Sequence, residues 1–215
     1  MTKGMTVASE NRFVPIRRAA ARLRSVLGRH DMKSVNVNFV HAINARLSHA
    51  DAMEAAVGGH FNEMGAKQLA LLRHYGLRPD HALVDVGCGS GRLTKALFGF
   101  LDGSYLGIDL VPALVAHARK LANVPHWQFR VIDEIEIPER HGQVDFVCFF
   151  SVLTHLLHEQ SFRYLQEARR VLKPGGRVVF SFLEFREPGH LEIFLNTVEN
   201  SRRGRREPPN GLIGT

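Results

Sequence analysis

The stretch Val84-Asp85-Val86-Gly87-Cys88-Gly89-Ser90-Gly91-Arg92-Leu93 constrains the fold of this chain more than any other. It follows an apolar run and opens a segment whose apolar residues Leu93, Leu97 and Leu101 recur at helical spacing. Glycines at 87, 89 and 91 let the backbone turn tightly and approach a ligand without a Cβ in the way. A helix that starts there presents unpaired N–H groups and the positive end of its dipole, which favour an anionic group. The pattern therefore predicts a strand, a ligand-binding turn and a helix in succession.

The spacing narrows the ligand. A dinucleotide fingerprint, G-x-G-x-x-G, requires glycine at position 92, where Arg92 stands. What remains is D-x-G-x-G-x-G, with Asp85 two residues before the first glycine. A carboxylate at the end of this strand repels a phosphate but accepts hydrogen bonds from an ammonium group. S-adenosylmethionine (SAM) has an amino group, a carboxylate and a sulfonium but no phosphate, so the loop suits SAM better than NAD.

Beyond the loop, short apolar runs alternate with helical segments. Strands are predicted at 82–86, 104–108, 127–132, 144–150 and 177–183, with helices near 92–101, 112–122 and 158–172. A second helical stretch from about residue 50 ends at Gly76, a good residue for the position after a helix. Such alternation predicts an α/β fold: a Rossmann-like parallel sheet with helices on both faces. The division expected is a basic helical N-terminal extension over 1–50, a ligand-binding domain over 51–200 and an Arg-rich loose tail over 201–215. Pro208-Pro209 and four arginines in that tail argue against a further strand, so the last two strands that the family resemblance set out below implies would be lacking and the fifth strand would be an exposed edge. A partner or a second copy of the chain is expected to cover it.

The net charge of +7 is unevenly placed. Residues 1–50 hold nine Lys/Arg against two acids, whereas 51–200 hold fifteen against eighteen. The basic footprint of a nucleic-acid binder is missing from the globular middle, which argues against a nucleic-acid partner. Around residues 12–29, Phe13, Ile16, Ala20, Leu23 and Leu27 among arginines predict a basic amphipathic helix. It reads as a helix capping the domain, an anionic-surface contact or a targeting segment. No run of about 18 apolar residues occurs, so no membrane-spanning helix is expected. Two cysteines, Cys88 and Cys148, both in apolar or Gly-rich segments, suit a reducing cytoplasm and read as buried rather than nucleophilic.

Acids recur at the predicted strand ends. Asp109, eighteen residues after Gly91, can accept two hydrogen bonds from ribose hydroxyls, or can serve only as a helix-start acid before Pro112. Asp133 is either an acceptor for the adenine amino group or a plain turn acid. The fourth strand runs into Phe150-Ser151-Val152-Leu153-Thr154-His155, and its end should lie beside the first strand, where open α/β sheets place ligands. His155 is the best-placed general base should an acceptor have to lose a proton, and is otherwise a histidine packed at a helix start. His155 and His158 have no carboxylate or cysteine cluster beside them, so no metal site is expected.

Together VDVGCGSGRLT (84–94), YLGIDL (105–110), Asp133, DFVCFFSVLTHL (145–156) and RRVLKPGGRVVFSF (169–182) resemble the class I SAM-dependent methyltransferases, in that family's order. The resemblance covers roughly residues 60–185 and falls within the broad small-molecule group. It implies that Asp85, Gly87, Cys88, Gly89 and Gly91 surround the methionine moiety and that Asp109 holds the ribose. Leu110 and Asp133 would flank adenine, and Phe150 with Ser151 would close the floor. No N/D-P-P-Y/F motif follows the fourth strand, which weakens methylation of base amino groups. The function expected is methyl transfer from SAM to a small-molecule acceptor. The alternatives are a non-catalytic or partner-completed SAM-binding protein and a methyltransferase acting on RNA or another polyanion.

Overall fold

The computed structural model describes residues 32–203. The basic helix expected around 12–29 and the end of the chain from 204 lie outside them. Three helices come first: α1 (Met32–Asn44), α2 (His49–Ala56) and α3 (Phe61–His74). The single stretch expected between 50 and Gly76 is two helices, because Gly58 and Gly59 both take positive φ and break it. Ser48 caps α2 by accepting from the Asp51 N–H at 3.2 Å. Helix α3 ends as expected at Gly76 (φ 90°). There the Gly76 N–H donates to Arg73 O and the Leu77 N–H to Leu72 O, both at 2.9 Å, with Leu72 and Leu77 buried.

The remainder alternates: β1 (Leu83–Val86), α4 (Arg92–Leu97), β2 (Tyr105–Asp109), α5 (Pro112–Ala122), β3 (Gln128–Val131), β4 (Val144–Phe149), a 3₁₀ turn (Leu153–His155), α6 (His158–Val171), β5 (Leu172–Phe180) and α7 (Pro188–Arg202). The five strands form one parallel sheet in the order β3-β2-β1-β4-β5. This is the Rossmann-like architecture expected. Central β1 is buried at every position and pairs Asp85 with Gly107 on one side and with Cys148 on the other. Strand order reverses between β1 and β4, which opens a crevice at their C-terminal ends.

Side chains alternate across the strands and build two cores. Leu83, Tyr105, Phe129, Phe146 and Cys148 face a cluster that includes Leu72 of α3, Leu93 and Leu97 of α4 and Val115 of α5. Val84, Val86, Leu106, Ile108, Val147 and Phe149 face the other, closed by Ala168 and Val171 of α6. A third, smaller core joins Val40 and Ile43 of α1, Ala52 and Met53 of α2, and Val111 and Leu114 at the start of α5. The first two helices thereby lie against the same side of the sheet's C-terminal end as the crevice.

At the opposite flank β5 begins earlier than expected. Leu172 already pairs with Val144, and the Lys173-Pro174-Gly175-Gly176 turn is taken up as an irregularity before Arg177 resumes pairing with Phe146. Among the described residues β5 has no neighbour on its outer edge. Phe180 at the end of β5, Phe182 and Phe185 after it, and Leu191 and Leu195 of α7 are exposed. No helix of the described residues is long and apolar enough to cross a membrane.

Candidate cofactor site

The crevice beyond β1 and β4 encloses about 330 Å³, within the range of small-molecule sites. Its floor is the glycine loop. Gly87 (φ 73°) and Gly89 (φ 55°) take conformations that favour glycine. Space demands glycine as well: a Cβ on Gly87 would lie 2.3 Å from Val152 Cγ2, and one on Gly89 2.7 Å from Val57 Cγ1. Val57 belongs to the turn after α2, so the N-terminal helices reach down onto the loop.

Asp85, Gly87, Cys88, Gly89, Asp109 and Leu110 all line this crevice. Phe150, Ser151 and His155 face them across it from the segment after β4. Gly91 and Asp133 are not among its lining residues. Gly91 is the N-cap of α4 with φ 94°, and a Cβ there would meet Ala118 Cα at 2.9 Å, so it fits the helix start to α5. Asp133 is exposed beyond the end of β3.

The two strand-end acids have different surroundings. Asp85 is 3% exposed. The Tyr105 hydroxyl donates to its Oδ2 at 2.9 Å, and the Cys148 thiol donates to Oδ1 at 3.5 Å. Thr94 Oγ1 lies 2.8 Å from the Tyr105 hydroxyl and extends this buried polar chain. Burial pushes the Asp85 carboxyl up to about 6, with Asp109 adding a smaller push, against the hydrogen bonds of Tyr105 and Cys148. Asp109 is instead partly exposed: its Oδ2 accepts from the Gly89 N–H at 3.0 Å and its Oδ1 from the Val111 N–H at 2.9 Å. Burial raises its carboxyl too, while the backbone N–H groups of Val111, Gly89 and Leu110 oppose the rise. Burial also pushes both cysteine thiols well up, which makes Cys88 and Cys148 poor nucleophiles.

Ser151, at the end of β4, has φ 60°, a conformation uncommon outside glycine, and its N–H donates to Ser181 Oγ at 2.7 Å beyond β5. This fixes where the segment carrying Val152 and His155 leaves the sheet. The far wall had no signal in the motifs. Val40, Ala56, Val57 and Gly58 from the N-terminal helices, with Gln68 of α3 and Arg92 of α4, complete the lining. Three bonds clamp those helices to the glycine loop. Ser90 Oγ, fully buried, donates to Met53 O at 2.8 Å, and the Arg92 guanidinium donates to Val57 O and Gly59 O.

Comparison with known proteins bears directly on this arrangement. The family model of a methyltransferase domain matches residues 84–180, from β1 through β5. Residues 84–180 thus form a methyltransferase domain, with the fold of the class I SAM-dependent methyltransferases. The chain is 30% identical over 166 residues to the malonyl-[acyl-carrier protein] O-methyltransferase of Herminiimonas arsenicoxydans, covering 76% of this chain and 59% of that one. It is 36% identical over 149 residues to an uncharacterized 37.1 kDa protein in transposon Tn4556 of Streptomyces fradiae, covering 64% and 41%. The alignments thus span about half the length of these relatives. Among solved structures, YcgJ of Bacillus subtilis shares the fold at TM-score 0.52 and 18% identity, with 69% of this chain and 63% of that one covered.

The cofactor of this methyltransferase family is SAM, and the residues present fit it. The Asp109 carboxyl stands at the crevice with each oxygen bonded to only one backbone N–H, leaving acceptor capacity for ribose hydroxyls. Leu110, Val111 and Leu114 supply the apolar side that a purine needs. Cβ-free Gly87 and Gly89 admit close backbone approach by the amino-acid head. When bound, SAM supplies a sulfonium-activated methyl group, so the protein's main task is to align an incoming nucleophile.

Proposed function

We propose that this chain transfers the methyl group of SAM to a small-molecule acceptor that enters beside the segment following β4. The observation that carries the reading is the convergence of the glycine loop, Asp109 and the Phe150–His155 segment on one crevice. An oxygen nucleophile is favoured by relatives named as O-methyltransferases, among them the malonyl-[acyl-carrier protein] enzyme and a ubiquinone biosynthesis O-methyltransferase. In this reading His155, at the end of the 3₁₀ turn, accepts the acceptor's proton as the oxygen bonds to the methyl group, while the C–S electron pair remains on sulfur. Phe150 and Val152 keep water from the transfer path.

Isothermal titration with S-adenosylhomocysteine tests the cofactor half, and absence of binding by the folded chain overturns the reading. The catalytic half is tested with methyl-labelled SAM against a panel of phenols and carboxylic acids. For an accepted substrate, His155→Gln is expected to lower kcat by about 100-fold with S-adenosylhomocysteine affinity unchanged. Equal kcat in both proteins removes His155 from catalysis. A second reading, a domain completed by a partner, draws on the exposed apolar side chains along β5 and α7. It predicts S-adenosylhomocysteine binding with no transfer to any acceptor until another chain is added.

A further inference from the structure

The crevice divides by chemistry. One part suits the cofactor: the glycine loop, Asp109 and the apolar group Leu110, Val111 and Leu114. The rest is walled by Val40, Ala56 and Val57 from the N-terminal helices and by Phe150, Val152 and Leu156 after β4. No lysine is among the lining residues, and the one arginine, Arg92, donates to the Val57 and Gly59 carbonyls. Against that single cation stand two carboxyls, Asp85 and Asp109. Burial raises both, so the floor is poorly hydrated and charges act there with little screening. Among the described residues, the crevice therefore offers no cation to spare for an anionic acceptor.

That shortage bears on the acceptor's class. A carboxylate or phosphate that leaves water without a counter-charge forfeits far more hydration than a hydroxyl does. Sites that select such anions meet them with Arg or Lys. The cofactor's sulfonium attracts any oxygen anion alike, phenolate or carboxylate, and does not discriminate between them. The proton balance points the same way. A carboxylic acid, with a pKa of about 4, is already ionised at neutral pH and has no proton for His155 to take. A phenol, with a pKa of about 10, keeps its proton until a base removes it, and an imidazole can bridge that gap. In the transfer the hydroxyl proton passes to His155, the oxygen bonds to the methyl carbon and the C–S pair stays on sulfur. The positive charge lost from sulfur reappears on the imidazolium, so the net charge of the crevice is unchanged.

Resting on the transfer reading above, we propose that the acceptor is an uncharged phenol with an apolar body, held between Val40, Ala56 and Val57 on one side and Val152 and Leu156 on the other, and that carboxylates and phosphate esters are rejected.

Initial rates of the full chain with methyl-labelled SAM test this on matched series: para-alkylphenols of graded length, the corresponding benzoic acids and the corresponding phenyl phosphates. The phenols are expected to exceed their ionised counterparts in kcat/KM by about 100-fold or more. Leu156→Arg, which sets a cation in the apolar wall, is expected to narrow that ratio about tenfold. Benzoic acids or phosphates used as well as the phenols overturn the inference and leave methyl transfer standing. An unchanged ratio in a Leu156→Arg chain with wild-type affinity for S-adenosylhomocysteine shows that the wall does not set the choice, and overturns it too. Titration of the S-adenosylhomocysteine complex with the same series covers a chain that turns none of them over: binding of the phenols alone supports the inference, and binding of none overturns it. A chain that does not bind S-adenosylhomocysteine overturns the cofactor reading, and this inference with it.

Discussion

Strands β1 and β2 each carry one aspartate near their C-terminal ends, and both line the same crevice, yet the two sites have become different devices. At the end of β1, Asp85 is enclosed by a hydroxyl and a thiol from the neighbouring strands, in the plane of a dry core. At the end of β2, Asp109 is fastened only by backbone N–H groups, one from the glycine loop and one from the start of α5. The first ties three strands together beneath the loop. The second orients an acceptor toward the crevice and braces the loop across it. A carboxylate at a strand end is thus not one kind of group: its neighbours in register decide whether it faces inward or toward a ligand.

The largest expected effect sets the two acids directly against each other. Removing Asp109 deletes the acceptor proposed for the cofactor's ribose and frees the Gly89 and Val111 N–H groups. Charge-assisted hydrogen bonds of this kind are worth about 1.5–3 kcal/mol each. Asp109→Ala should therefore weaken S-adenosylhomocysteine by about 100-fold or more in a calorimetric titration, whereas Asp85→Asn should change it less than about threefold. Equal losses from the two substitutions would erase the distinction.

Next in size is a pH effect read at Asp85. Its folded-state value of about 6 lies above the ordinary 3.8. The folded protein therefore holds this proton more tightly than the unfolded chain does. The stabilisation this provides is fully present below about pH 4, declines as pH rises through 6, and is gone above it. Wild-type stability should fall by about 1–3 kcal/mol over that window relative to Asp85→Asn, whose carboxamide does not titrate. Urea unfolding at pH 4, 5, 6 and 7 measures the difference between the two curves. Parallel curves would mean that burial does not raise the Asp85 carboxyl.

The sheet and the loop were legible because apolar runs, glycines and strand-end acids are local signals. Four of the five strands fall within a residue of where the sequence placed them, β5 begins earlier at Leu172, and β1 and β4 lie side by side as the motif order required. Boundaries were less legible. Helix α4 ends at Leu97 rather than near 101, followed by Gly99 in a positive-φ conformation. The partners of Asp85 were invisible, since Tyr105 and Cys148 reach it only through cross-strand register. The crevice's outer wall was equally hidden. Val40, Ala56 and Val57 are ordinary apolar residues at helical spacing, and nothing local says that their helices fold back over a loop thirty or more residues further on. Ser90, between two of the glycines, and Arg92, just after the last, carry that information only in three dimensions.

The smallest expected effect probes this last connection. Ser90 Oγ donates to Met53 O inside a fully buried contact, so Ser90→Ala leaves one carbonyl of α2 without its partner. A neutral buried hydrogen bond contributes about 1 kcal/mol, which predicts about a fivefold faster amide exchange across residues 49–56. Strands β1 and β2 carry their own ladder bonds on both sides and should exchange at unchanged rates. If the strands loosen together with α2, the N-terminal helices and the sheet open as one unit, and the loop is not a latch between them. If α2 alone loosens, the glycine motif does two jobs at once: its glycines make room for a ligand, and the residues between and after them hold the lid that encloses it.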